Sequence, residues 1–168
     1  MSDKILYPMI FCATLTGCAG IGRTPPEPQR PSVAPRAPQE RAQRNEALLV
    51  ALMALGVDYR GGGRSPATGF DCSGLVAHVF EEAYGIRLPR TVRAQSEAGV
   101  AVNPNDLEPG DLVFYDTQDR PYSHVGIYLG EDKFVHAPKT GFSVRVESLR
   151  SAYWVKRYNG ARRIEPSL

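Results

Sequence analysis

At 168 residues, with 42% hydrophobic and 9% aromatic side chains, the chain can build one domain plus an appendage. Its 20 Lys and Arg against 18 Asp and Glu leave a formal charge of +2. That balance excludes the concentrated basic patch of a dedicated nucleic-acid binder, and no apolar stretch reaches the roughly 20 residues of a transmembrane helix.

Residues 1–17 read as an export signal. Lys4 gives a positive start, and Ile5 to Leu15 is short and mostly apolar, interrupted by Pro8. Leu15-Thr16-Gly17-Cys18 sets small residues before a cysteine and resembles the bacterial lipobox, which makes Cys18 the acylated first residue of the mature protein. Ala19 stands where inner-membrane lipoproteins often carry an acidic residue, so outer-membrane anchoring, facing the periplasm, is expected. Residues 18–45 follow as a lipidated cysteine and tether. Pro25, Pro26, Pro28, Pro31, Pro35 and Pro38 recur there without an aromatic residue. Such a segment buries too little apolar surface to offset its ordering entropy, and proline extends it at up to about 3.1 Å per residue.

Arg44 to Leu55 is a predicted helix that Gly56 ends, and its nearly continuous apolar run, Ala47 to Leu55, predicts burial around most of its circumference. Tyr59-Arg60-Gly61-Gly62-Gly63 reads as a flexible turn, and Ser65 to Phe70 continues the loop. A second helix begins near Cys72, with Leu75, Val76, Val79, Phe80 and Ala83 at helical spacing and Gly85 closing it. Cys72 lies on the side of that stripe. Beyond residue 106 the pattern turns to strands: 111–115, 124–129, 133–137, 143–146 and 153–158, most of them separated by Gly, Asp or Pro. Helices first and strands second predict an α+β fold with an antiparallel sheet.

Cys72 is the one thiol this scheme leaves free. Exported proteins usually pair their cysteines, so a lone thiol in that compartment points to nucleophilic catalysis. A nucleophilic cysteine needs a base, and the chain offers His78, His124 and His136. His78 falls opposite the apolar stripe of its helix and is expected in solvent. With Gly130-Glu131-Asp132 as a three-residue hairpin loop, Leu129 opposes Lys133, Tyr128 opposes Phe134, Ile127 opposes Val135 and Gly126 opposes His136. That register makes His124 and His136 diagonal neighbours on one face, with Gly126 leaving the space beside them clear. A two-residue turn would break this register. A Cys–His–His site follows, with both histidines within reach of Cys72, His124 as base and His136 orienting it. A helix N-terminus beside His124 predicts a thiol pKa below the roughly 8.5 of free cysteine. Three unrelated core residues, or a zinc site lacking close ligand pairs, are the competing readings.

Several segments then fall in a familiar order: Phe70-Asp71-Cys72-Ser73-Gly74-Leu75-Val76, Leu88-Pro89-Arg90-Thr91, Pro109-Gly110-Asp111-Leu112-Val113-Phe114, His124-Val125-Gly126-Ile127-Tyr128-Leu129-Gly130 and Phe134-Val135-His136-Ala137. Over residues 46–164 the chain resembles the NlpC family of cell-wall cysteine endopeptidases, in the small envelope lipoprotein form. The resemblance implies a papain-like α+β fold, N-terminal helices packed on an antiparallel sheet, and the roles of nucleophile, base and third polar residue for Cys72, His124 and His136. It also implies an oxyanion role for Tyr59 beside the Cys72 amide, and stem-peptide contacts from Asp71, Ser73, Arg90 and Thr91. Helix capping is the competing reading for Asp71 and Ser73. The substrate implied is peptidoglycan stem peptides or their cross-links, with no cofactor, no metal and no nucleic acid, and with a membrane reached through the lipid. A transferase using the same residues and a wall-binding adaptor without chemistry are the alternatives.

Overall fold

The structure is a computed structural model that describes residues 38–165. The expected signal segment, the acylated Cys18 and the tether up to residue 37 lie outside the described residues.

Helix α1 spans Pro38–Met53. Proline suits its first turn, where an amide hydrogen would have no helical partner. The stretch 38–45, expected to finish the tether, is therefore helical. Only one stripe is buried, Ala47 and Ala51 of α1 with Ala54 just beyond it, while Leu49, Leu52 and Met53 remain exposed. The continuous apolar run overstated the burial because the inward positions are alanines, whose small size lets α1 lie close against helix α2 (Cys72–Tyr84). Leu75, Val76, Val79 and Phe80 of α2 are buried, and Gly85 ends the helix at φ 66°, a left-handed conformation glycine adopts without strain. His78 is half-buried against the Phe70 ring, 5.1 Å between centroids, rather than in solvent.

Before α2, strands β1 (Arg64–Ser65) and β2 (Gly69–Phe70) form a small hairpin. After α2 come the short helix α3 (Val92–Gln95) and strands β3 (Val100–Val102), β4 (Leu112–Tyr115), β5 (His124–Gly130), β6 (Lys133–His136) and β7 (Arg145–Ser148). Helix α4 (Ala152–Arg157) and strand β8 (Tyr158–Arg163) follow. The six-stranded sheet runs β3-β8-β4-β5-β6-β7, each pair antiparallel. The expected strand over 153–158 is thus mostly helix α4. Its apolar residues alternate in sequence, but Trp154 alone is buried, with Tyr153 and Val155 exposed, which a single helical turn satisfies.

Strand alternation divides the core in two. Leu112, Phe114, Val125, Ile127, Val135 and Ala137 face α1 and α2. Val113, Tyr115, Tyr128, Phe134 and Ala161 face Trp154 of α4 on the other side.

The β5–β6 hairpin corrects one detail of the expected register. Ile127 opposes Val135 and Tyr128 opposes Phe134 as read from the sequence, but Gly130 opposes Lys133. The loop has two residues, Glu131 and Asp132, at φ 50° and 56°. Positive φ at both positions matches the twist of a tight hairpin. An irregularity between Tyr128 and Gly130 absorbs the missing loop residue, so the faces keep their parity. Nor is the space beside Gly126 clear: a Cβ there would lie 2.5 Å from the Phe134 ring.

Candidate active site

Asp71 caps α2, accepting from the Gly74 amide at 2.7 Å, and places Cys72 at the first helical position. Its carboxylate also accepts from the Gly62 amide at 2.9 Å and the Ser73 hydroxyl at 3.1 Å. Arg90 grips it with both terminal nitrogens, at 2.9 and 2.6 Å, and donates to Ser73 Oγ at 2.8 Å. These bonds hold the Asp71 carboxyl below its usual range despite partial burial. They also tie down the glycine turn expected to be flexible. Gly63 and Gly74 approach so closely that a Cβ on Gly74 would lie 2.0 Å from the Gly63 carbonyl oxygen. Asp71 and Ser73 therefore serve as cap and clamp. Arg90 is half-buried as their partner, and exposed Thr91 caps α3 through the Ala94 amide at 3.3 Å. Gln95, fully buried, ties the loop to the helix by donating to the carbonyls of Ser73 and Pro89 at 3.0 and 2.9 Å.

Helix α2 packs on β5, and the Val125 backbone, one residue from His124, favours the Cys72 thiolate. The thiol pKa is pushed up to about 11, by burial first and by the Asp71 carboxylate second, against the opposing help of backbone amides. This reverses the expected depression: the helix terminus carries its own anionic cap, and no imidazolium faces the thiol. Tyr59 closes the other side. Its phenol pKa is raised by burial and then by Cys72 and Asp71, the two groups beside it.

His124 and His136 stand on the sheet face away from α2 and meet directly. His124 Nε2 and His136 Nδ1 are 2.7 Å apart, with the rings perpendicular. Both are buried, at 4% and 0% exposure, and both pKa values are pulled down to about 3. Burial is the main cause for each; His136 adds to it for His124, and Arg145 adds to it for His136. Both rings are neutral at pH 7. Since Nε2 of His124 is taken by His136, its free ring nitrogen is Nδ1.

Trp154 is not legible as a site residue in the sequence, where the alternation over 153–158 predicts a strand and the structure has α4. It stacks on His124, 5.6 Å between centroids at 23°, and meets His136 edge-on at 5.1 Å. Its indole N–H donates to Glu147 Oε2 at 2.5 Å. A cleft of about 480 Å³ opens beside His124, lined by Lys139, Phe142, Arg145, Glu147 and Trp154 among others. Among the described residues, no three Cys, His, Asp or Glu side chains converge as metal ligands.

A thiol at a helix start with its helix-terminal amides, and a neutral imidazole backed by a second one, are the kinds of groups that acyl transfer through a thioester uses. The family model for NlpC/P60 matches residues 56–163. Murein DD-endopeptidase MepS/Murein LD-carboxypeptidase of Escherichia coli is 46% identical over 109 residues, 65% of this chain and 56% of that protein. Murein DD-endopeptidase MepH of Escherichia coli is 42% identical over 121 residues, 70% of this chain and 45% of that protein. The chain thus spans about half the length of these relatives. The peptidoglycan hydrolase RipB of Mycobacterium tuberculosis superposes with a TM-score of 0.65 at 32% identity, covering 77% of this chain and 68% of that structure. The matched residues carry both the helix of Cys72 and the strands of His124 and His136, and the chain belongs to the NlpC/P60 family.

Proposed function

We propose that the chain hydrolyses amide bonds in peptidoglycan stem peptides or their cross-links through Cys72, His124 and His136. The observation that carries this is the 2.7 Å bond from His124 Nε2 to His136 Nδ1, on the sheet against which α2 packs with Cys72 at its first position. Relatives named as murein endopeptidases support the substrate class.

Cys72 Sγ attacks the amide carbonyl carbon while its proton passes to His124 Nδ1. The C–N bond breaks as that proton reaches the leaving nitrogen, leaving a thioester on Sγ. Water then attacks the thioester, His124 takes a proton from it, and the acid and the free thiol are released. The Cys72 amide, which has no intrahelical partner at the first helical position, and the Tyr59 hydroxyl stabilise the oxyanion. A resting neutral thiol and neutral imidazole suit proton transfer during attack rather than a standing ion pair. Half-buried Arg90, held by Asp71 and Ser73, and exposed Thr91 form the rim on which the stem peptide rests. A lipid on Cys18 holds the domain at the outer membrane, facing the periplasm, and Cys18→Ser is expected to move the protein to the soluble fraction.

Digesting purified peptidoglycan with wild type and Cys72→Ala, with fragments identified by mass spectrometry, tests the reading. New stem or cross-link fragments from the wild type alone support it. Amine adducts in place of free acids would identify a transferase, and no fragments from either protein would identify a wall-binding adaptor.

A further inference from the structure

His136 is completely buried, yet its Nε2 has no hydrogen-bond partner. A buried polar atom left unsatisfied is costly, so its surroundings carry information. Pairing of β6 with β7 sets His136 opposite Arg145, and Glu147 lies two residues further along β7 on the same face. Glu147 Oε1 is 3.7 Å from His136 Nε2. The same carboxylate accepts the Trp154 indole N–H at 2.5 Å and pairs with Arg145.

Between neutral His124 and His136 a single proton occupies the 2.7 Å contact. It can sit on either ring, and the two arrangements differ in chemistry. If His136 Nδ1 carries it, His136 Nε2 turns a lone pair on the Glu147 carboxylate, and His124 must carry its own proton on Nδ1, where a base is needed. If His124 Nε2 carries it, His136 holds its proton on Nε2, facing the carboxylate, and His124 Nδ1 is bare.

We propose that Glu147 is a positioning residue that holds the proton of His136 on Nε2 and thereby leaves His124 Nδ1 free to take the Cys72 proton. This rests on the Cys72–His124–His136 reading above. The carboxylate also faces the positive charge that His124 gains during attack, and Glu147 opposes the depression of the His124 pKa. Arg145 works against it by sharing the carboxylate and by depressing His136. The other titratable or charged groups around the pair and its carboxylate are Tyr115 from β4, Lys139 after β6 and Tyr153 from α4.

The test uses the full chain, with ring ¹⁵N–¹H correlation spectra and muropeptide turnover measured against pH. In the wild type the His136 proton is expected on Nε2. Glu147→Gln is expected to cut kcat about 10- to 100-fold with KM within about twofold, to move the acid limb of kcat to lower pH, and to mix the His136 tautomers. Arg145→Met, at an exposed position, is expected to keep the Nε2–H tautomer and move the acid limb to higher pH. A packing role alone would not shift the limb in opposite directions. A wild-type His136 proton on Nδ1, or both variants with wild-type kcat and acid limb, would overturn the proposal. Should Glu147→Gln fail to fold, the wild-type tautomer and Arg145→Met still decide it. Full activity in Cys72→Ala or His124→Ala would instead defeat the underlying mechanism, and the tautomer is read without turnover.

Discussion

At Cys72 a favourable helix terminus competes with burial and with the Asp71 carboxylate, and the last two win. Alkylation by iodoacetamide is therefore expected to keep accelerating from about pH 8 to about pH 10, with no inflection near the roughly 8.5 of a free thiol. A plateau by pH 8 would show a standing thiolate. Asp71→Asn removes the charge that raises the thiol and breaks the two-pronged grip of Arg90. The thiol should then alkylate faster at pH 8, while the fold loses about 2 kcal/mol, read from urea denaturation. Slower alkylation would mean that the carboxylate aids the thiolate. Among the proposed catalytic groups, Cys72→Ser and His124→Ala should lower kcat about 1000-fold or more. His136→Ala should cost about 10- to 100-fold, because His136 orients the base and takes no proton from substrate.

The element most dependent on its neighbours is α2. Its first turn enters the glycine turn so closely that Gly74 has no room for a side chain against the Gly63 carbonyl. Gly74→Ala must push backbone against backbone and should destabilise the domain by about 3 kcal/mol or more, lowering the thermal midpoint by several degrees. A midpoint within a degree of wild type would show that the turn yields. The β5–β6 hairpin illustrates a different dependence. A two-residue turn by itself would send His136 to the wrong face, and the irregularity after Tyr128 restores it. Parity of the faces, fixed by burying Ile127 and Val135 on one side and Tyr128 and Phe134 on the other, outranks the loop length.

For the whole molecule, two buried neutral histidines couple folding to pH. Their native pKa values, about 3, lie below the roughly 6.5 of an unfolded chain. Between those values the unfolded state binds more protons, so stability rises with pH and falls on acidification, by up to about 1.4 kcal/mol per pH unit for each histidine. Asp71 adds to the loss lower down: its depressed carboxyl stabilises above the unfolded value near 3.9 and ceases to do so as pH falls through its native one. The urea midpoint should therefore drop between pH 7 and pH 4.5. A flat profile would mean that the histidines protonate freely in the native state.

The sequence by itself determined the α+β class, the Cys72 helix with its glycine stop, the two-faced hairpin and the pairing of His124 with His136. Each of these follows from local periodicity, where a stripe or an alternation decides which side chains share a face. Contacts between elements distant in sequence decided the rest. Only the fold shows α1 inward through alanines, since apolar sequence does not say which face a neighbour will cover. Only the fold makes Trp154 helical and stacks it on His124, because one buried ring fits a turn of helix as well as a strand. The thiol pKa reversed sign for the same reason: burial and the partners of Asp71 come from segments around residues 62, 90 and 125, which no local pattern joins to Cys72. Glu147 is likewise invisible until β7 lies beside β6 and sets a carboxylate against the buried nitrogen of His136.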